Sequence, residues 1–138
     1  MQIRSPKEIV NLNMKGAVDK AELTISKMIT LGILAGMFIA VGGVTSNTAI
    51  HSMTNVGLSR VLGGAVFPIG LLMIVLVGGE LFTGNCLMIM ATLDKRISVP
   101  RLLRNLVIVF LANLVGSLIM DVLIFYSGNL NFSGGALG

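Results

Sequence analysis

Residues 61–93 read VLGGAVFPIGLLMIVLVGGELFTGNCLMIMATL, and the middle of that run decides the fold. At about 1.5 Å per residue, one straight helix over the run would reach about 50 Å. A bilayer's hydrocarbon core is about 30 Å thick. The break is written as Gly78-Gly79-Glu80-Leu81-Phe82-Thr83-Gly84-Asn85. That octet sets glycines, a carboxylate, a hydroxyl and an amide between two apolar runs. Non-helical backbone at membrane depth is tolerated only where protein buries it or a water-filled cavity receives it. A broken span is therefore a pointer to a passage. The plainer alternative is an ordinary loop between two short hairpin helices, against which stand the apolar flanks.

Hydrophobic residues make up 54% of the chain and charged residues 12%. Soluble domains carry about 25% charge, so the composition is that of an integral membrane protein. The net charge of +4 would suggest nucleic acid in a soluble chain. Here the basic residues flank apolar spans, so no nucleic-acid partner is expected and the lipid bilayer is. The first 27 residues are too charged for a cleavable signal peptide. A single cysteine, Cys86, excludes an intrachain disulfide and a multi-cysteine metal site. There is no phosphate-binding loop, metal cluster or nucleophile–base pair. Neither an enzyme nor a cofactor is expected.

Three spans are predicted, at about 24–45, at 61–93 (broken near 78–85) and at 102–126. Residues 1–23 form an amphipathic N-terminal helix, capped by Ser5 and Glu8 with Pro6 in its first turn. Ile9, Leu12 and Gly16 share one of its faces, against the membrane surface or the bundle. Residues 46–60 read as a polar connection, and 127–138 as a polar external segment. Arg4, Lys7, Lys15, Lys20 and Lys27 precede or open span one, and Lys95, Arg96, Arg101 and Arg104 separate spans two and three. Only Arg60 lies on the other side. That bias puts the N-terminus in the cytoplasm and the C-terminus outside. Three such spans are half of an inverted-repeat design, so a second three-span half is expected to complete the pore.

Within the octet, the half-helix expected to begin near Gly84 turns its positive end into the membrane, which favours an anion. Glu80 is an ionisable group near membrane depth. It is either a proton relay or a scaffold accepting the loop's own freed amides. Phe67 and Leu71, four apart, share a face above the break, and Pro68 should kink that segment. With Leu81 and Phe82 they are apolar residues around the polar Thr83, either a constriction or bundle packing. Asn85, Asn105 and Asn113 read as inter-helix hydrogen bonds. Gly32 and Gly36 form a GxxxG pair. His51 reads as a surface histidine of the outer loop.

The run Leu76-Val77-Gly78-Gly79-Glu80-Leu81-Phe82-Thr83-Gly84 resembles the signature of the formate/nitrite transporter family. Phe67-Pro68-Ile69-Gly70-Leu71 and Ala112-Asn113-Leu114-Val115-Gly116 add to the match, which extends over residues 5–128. Its form is nearest to the hydrosulfide-conducting branch. The resemblance implies an all-α, aquaporin-like protomer of six spans in two inverted repeats, assembled as a homopentamer with a pore in each protomer. It implies passage of small monovalent anions (formate, nitrite or hydrosulfide), passive or proton-linked, across the cytoplasmic membrane. Thr83 would face the family's pore histidine, and Leu81 and Phe82 would form the cytoplasmic-side constriction. Phe67 and Leu71 fall on the outer side, with Leu71 at the outer constriction. Gly78, Gly79, Glu80, Gly84 and Asn85 would shape the Ω-like loop. The family's pore histidine and vestibule lysine belong to a second repeat that these residues lack, and His51 does not inherit that role. The chain is thus expected to be an N-terminal half. Two other functions remain open: a neutral-solute channel of aquaporin type, and a non-transporting membrane anchor, which would usually need haem-binding histidines in its spans.

Overall fold

A computed structural model describes residues 4–135 and 137. The regular elements are α1 (Pro6–Ala21), α2 (Ile25–Ile50), α3 (Val56–Val66), α4 (Pro68–Val77), α5 (Phe82–Asn85), α6 (Ile89–Leu93), α7 (Val99–Tyr126) and α8 (Phe132–Gly135). Two 3-10 turns, Cys86–Met88 and Asn129–Asn131, join α5 to α6 and α7 to α8. The described residues hold three helical segments long and apolar enough to cross a membrane: Ile25–Ile50, Val56–Val77 and Val99–Tyr126.

Local chemistry sets the ends. The Glu8 N–H donates to Ser5 Oγ (3.4 Å), and the Ser5 N–H donates to Glu8 Oε2 (2.7 Å), which closes the capping box. The Ser5 backbone N–H first, and second its hydroxyl, which donates to Glu8 Oε2 (3.0 Å), hold the Glu8 carboxyl below its usual range. A depressed carboxylate stabilises the fold above its unfolded pKa and stops doing so as pH falls through the folded value. The first turn of α1 should therefore fray on acidification, read from amide NMR shifts of residues 6–9. A Glu8→Gln chain should lose that pH response.

Residues 46–60 are mostly helical rather than a polar connection. α2 runs on to Ile50 because its hydroxyls bond to helix backbone: Thr45 Oγ1 donates to Val41 O (2.7 Å) and Ser46 Oγ to Gly63 O (3.0 Å). Asn55 Oδ1 then accepts the Leu58 N–H (3.0 Å) and starts α3 early. Only residues 51–55 connect the two helices. Pro68, lacking an N–H, interrupts the helix at Phe67, yet Phe67 keeps right-handed helical angles (φ −50°, ψ −41°). α3 and α4 thus read as one apolar segment.

α2 stands between α7 and the α3–α4 pair. α7 buries Leu102, Asn105, Val109, Ala112 and Gly116, a stripe at helical spacing. The α2–α7 seam is the GxxxG contact: a Cβ built on Gly36 would fall on the Asn113 carbonyl, and one on Gly116 on the Ile33 carbonyl. Backbones this close exclude any side chain.

α1 packs on the bundle through Ala17 and Ala21, against Met88, Ala91, Ile97 and Leu102. Its packed face is thus Met14, Ala17, Val18 and Ala21, while Ile9 and Leu12 remain exposed. The expected Ile9–Leu12–Gly16 stripe lies along the edge of that face, with Gly16 half-buried. Leu12, Gly16 and Lys20 there border a cavity of about 100 Å³ shared with Gly84 and Leu87.

Candidate functional site

α4 ends where Gly78 turns left-handed (φ 72°), a conformation that glycine adopts without a Cβ penalty. The Gly79 N–H folds back to Ile74 O (2.8 Å), and the Glu80 N–H crosses to Leu31 O of α2 (3.3 Å). Helix resumes at Phe82, two residues before the expected restart near Gly84. The reason lies on α7. Asn113 Oδ1 accepts the Phe82 N–H (2.9 Å), and Asn113 Nδ2 donates to Glu80 O (2.9 Å) and Gly32 O (2.8 Å). One side-chain amide therefore satisfies both walls of the break and joins them to α2. An unpaired backbone group there would cost about 1–3 kcal/mol.

The Glu80 side chain points the other way and is 6% exposed. Lys20 Nζ of α1 lies 3.1 Å from Glu80 Oε1, and Asn85 Nδ2 donates to Oε2 (2.7 Å). Lys20 Nζ also donates to Asn85 Oδ1 (2.7 Å). Asn85 Nδ2 reaches Asn105 Oδ1 (2.8 Å), and Asn105 Nδ2 donates to Lys20 O (3.2 Å). The network closes on itself, with Asn85 and Asn105 fully buried. The carboxylate at the break is thus paired and hydrogen-bonded, the condition for a buried charge. Among the described residues its carboxylate pairs with the Lys20 and Asn85 side chains, rather than with the loop's own freed amides that the scaffold reading expected. Arg104 Nη2 donates to Ala21 O (2.9 Å) and fastens the end of α1 beside the network.

The apolar residues face open space. Phe67 and Leu71 are 44% and 47% exposed, while Gly70 and Ile74 of the same helix pack inward. Leu81 and Phe82 are half-buried, and Thr83 and Gly84 are exposed. The Phe82 ring meets Phe110 of α7 edge-on, with centroids 5.3 Å apart and planes at 69°. So the break brings Leu81, Phe82 and Thr83 together, with Phe67 and Leu71 on the helix that leads into it. Gly78 and Gly79 make its turn, and Glu80 and Asn85 anchor its underside. His51 caps the far end of α2, its Nδ1 2.7 Å from Thr48 O. From Leu31 that is about 30 Å along the helix.

Sequence reasoning missed Lys20, counted only as a topology charge, and Phe110. Lys20 had a signal: it lies one helical turn beyond Gly16 on the Leu12–Gly16 stripe. Phe110 had none, since nothing local ties it to Phe82.

Comparison with known proteins agrees with this architecture. The family model described as formate/nitrite transporter matches residues 7–137. A probable formate transporter of Methanothermobacter thermautotrophicus is 43% identical over 71% of this chain and 38% of its own length. The formate channel BtFdhC of Bacillus thuringiensis is 35% identical over 94% of this chain and 51% of its own. The formate channel FocA of Escherichia coli K12 is 32% identical over 96% and 47%. A solved structure described as an FNT family ion channel superposes with a TM-score of 0.81 over 88% of this chain and 50% of that one, at 24% identity. That likeness shows the fold. The chain spans about half the length, or less, of these relatives. These are channels and transporters rather than enzymes, and the chain is an all-α integral membrane protein whose three membrane-capable helices share the fold of half of such a channel. It belongs to the formate/nitrite transporter family.

Proposed function

We propose that this chain forms one wall of a membrane channel for small monovalent anions, of the formate, nitrite or hydrosulfide class. A second three-span unit would form the other wall, in an aquaporin-like protomer of a homopentamer. The N-terminus and the basic residues around Lys95 would lie in the cytoplasm, following the nine-to-one bias of Lys and Arg. The observation that carries the reading is the break itself: a span whose interruption presents Leu81, Phe82 and exposed Thr83 beside an apolar helix face. Desolvating a bare charge at such a point is expensive. The Thr83 hydroxyl, or a proton joined to the anion in transit, would lower that cost. Phe82 and Leu81 would exclude hydrated ions on one side, and Phe67 and Leu71 on the other. Glu80, neutralised by Lys20, would hold the loop without repelling the anion.

Anion entry into vesicles bearing the complete transporter tests this. Thr83→Ala should slow formate, nitrite or hydrosulfide entry about tenfold, the equivalent of one hydrogen bond of about 1.4 kcal/mol. Phe82→Ala should relax selectivity. Unchanged flux and selectivity in both variants would overturn the reading. Entry indifferent to membrane potential and pH would point to a neutral-solute channel instead.

A further inference from the structure

Two residues of α7 hold Phe82: Asn113, which also bonds Gly32 across the α2–α7 seam, and Phe110, which stands outside that seam. Asn113 Oδ1 accepts the Phe82 N–H, which sets the backbone from which the ring projects. Its amide has one orientation. The oxygen must meet the Phe82 N–H and the NH2 group must meet the Gly32 and Glu80 carbonyls, so a flipped amide would set donor against donor. Phe110 lies three residues earlier, on the neighbouring part of the same helix face. Its ring stands against the Phe82 ring at 5.3 Å and remains 50% exposed. Val109 and Ala112 make the packed face of α7 at this level, and both are buried. Phe110 therefore contributes an aromatic wall on the open side of the helix. Its contact with Phe82 is the edge-to-face arrangement that aromatic quadrupoles favour.

We infer that Asn113 and Phe110 are positioning residues that fix Phe82 in backbone and in ring, and so set the largest anion the constriction admits. This rests on the proposed channel function. An aperture formed by a free phenylalanine would adapt to its occupant. One braced at both ends has a defined width, and discriminates formate from acetate by a single methyl group.

The complete transporter in vesicles tests the inference, with formate and acetate as probes. Leu111→Ala, at an exposed position of α7 beside Phe110, serves as control. Phe110→Ala should raise the acetate-to-formate entry ratio about tenfold, the scale of one methyl in an apolar site. Asn113→Asp keeps an acceptor for the Phe82 N–H but turns a second oxygen on two carbonyls. It should shift the ratio the same way and speed hydrogen exchange at the amides of residues 80–85. An unchanged ratio in Phe110→Ala removes Phe110 from the inference, and unchanged exchange in Asn113→Asp removes Asn113. A wild-type protein that admits neither anion overturns the channel function and, with it, the aperture. The exchange arm then decides on its own whether Asn113 holds Phe82.

Discussion

Gly36→Ala is expected to destabilise the protein, while Gly43→Ala, two turns along the same helix, is expected to stabilise it or leave it unchanged. Replacing glycine by alanine inside a helix normally gains roughly 0.5–1 kcal/mol. At Gly43 nothing lies within 4 Å of the added Cβ, so that gain should survive. At Gly36 the Cβ would fall on the carbonyl of Asn113, an atom of backbone with no rotamer to yield. α7 must move away. Gly32 faces Ala112 at 2.6 Å from a built Cβ, so the seam is tight on either side of that point. Overpacking of this kind costs about 1–3 kcal/mol. A second loss adds to it, because the residue pushed back is Asn113, whose side chain joins Gly32, Glu80 and Phe82. A larger side chain, Gly36→Val, should prevent recovery of monodisperse protein. Thermal unfolding of the purified variants checks the contrast. Equal shifts at positions 36 and 43 would mean that the seam is loose and the hydrogen bonds at the break do not depend on it.

The second large effect is expected at Glu80. Glu80→Ala leaves the Lys20 ammonium without its counter-charge and the fully buried Asn85 amide without one of its two acceptors. Removing one member of a buried ion pair costs about 3–5 kcal/mol. Lys20 is 36% exposed in its side chain, so water can reach the freed ammonium and the loss belongs at the lower end. Lys20→Met should also destabilise, by stranding the carboxylate. The Lys20→Met/Glu80→Ala chain should lose less than the two single changes combined, since neither stranded charge remains. A coupling of about 0.5–3 kcal/mol is the range for residues in one network. Strict additivity in such a cycle would show that α1 and the break are held by packing at Ala17 and Ala21 rather than by the ion pair.

The position of the break was legible because glycine, carboxylate and amide do not belong inside an apolar span. Its restart was not. Phe82 opens a helix because Asn113, thirty-one positions on, accepts its N–H, and no local pattern announces that bond. The same holds for the far end of span one. Ser46, Asn47 and Thr48 read as a polar connection, yet α2 continues through them, with the Ser46 hydroxyl donated to Gly63 of the neighbouring helix.

The Glu80 alternatives divide in the same way. Its rarity at membrane depth marked it as paired or functional, but the partner lay on the N-terminal helix, sixty residues earlier. Lys20 looked like one more positive-inside charge, and its role appears only when α1 folds back onto the bundle.

The amino-acid sequence by itself determined a membrane protein, three apolar segments, an interrupted second one and the family. The first three follow from composition, span length and the conformational freedom of glycine, all of which act locally; the family follows from the resemblance of residues 76–84 to a known signature. Only the tertiary structure decided which groups satisfy the backbone freed by the interruption. A broken helix in an apolar surrounding must find donors and acceptors at a distance: Asn113 of α7 and the Leu31 carbonyl of α2 meet its backbone, while Lys20 of α1 and Asn105 of α7 meet the Glu80 and Asn85 side chains.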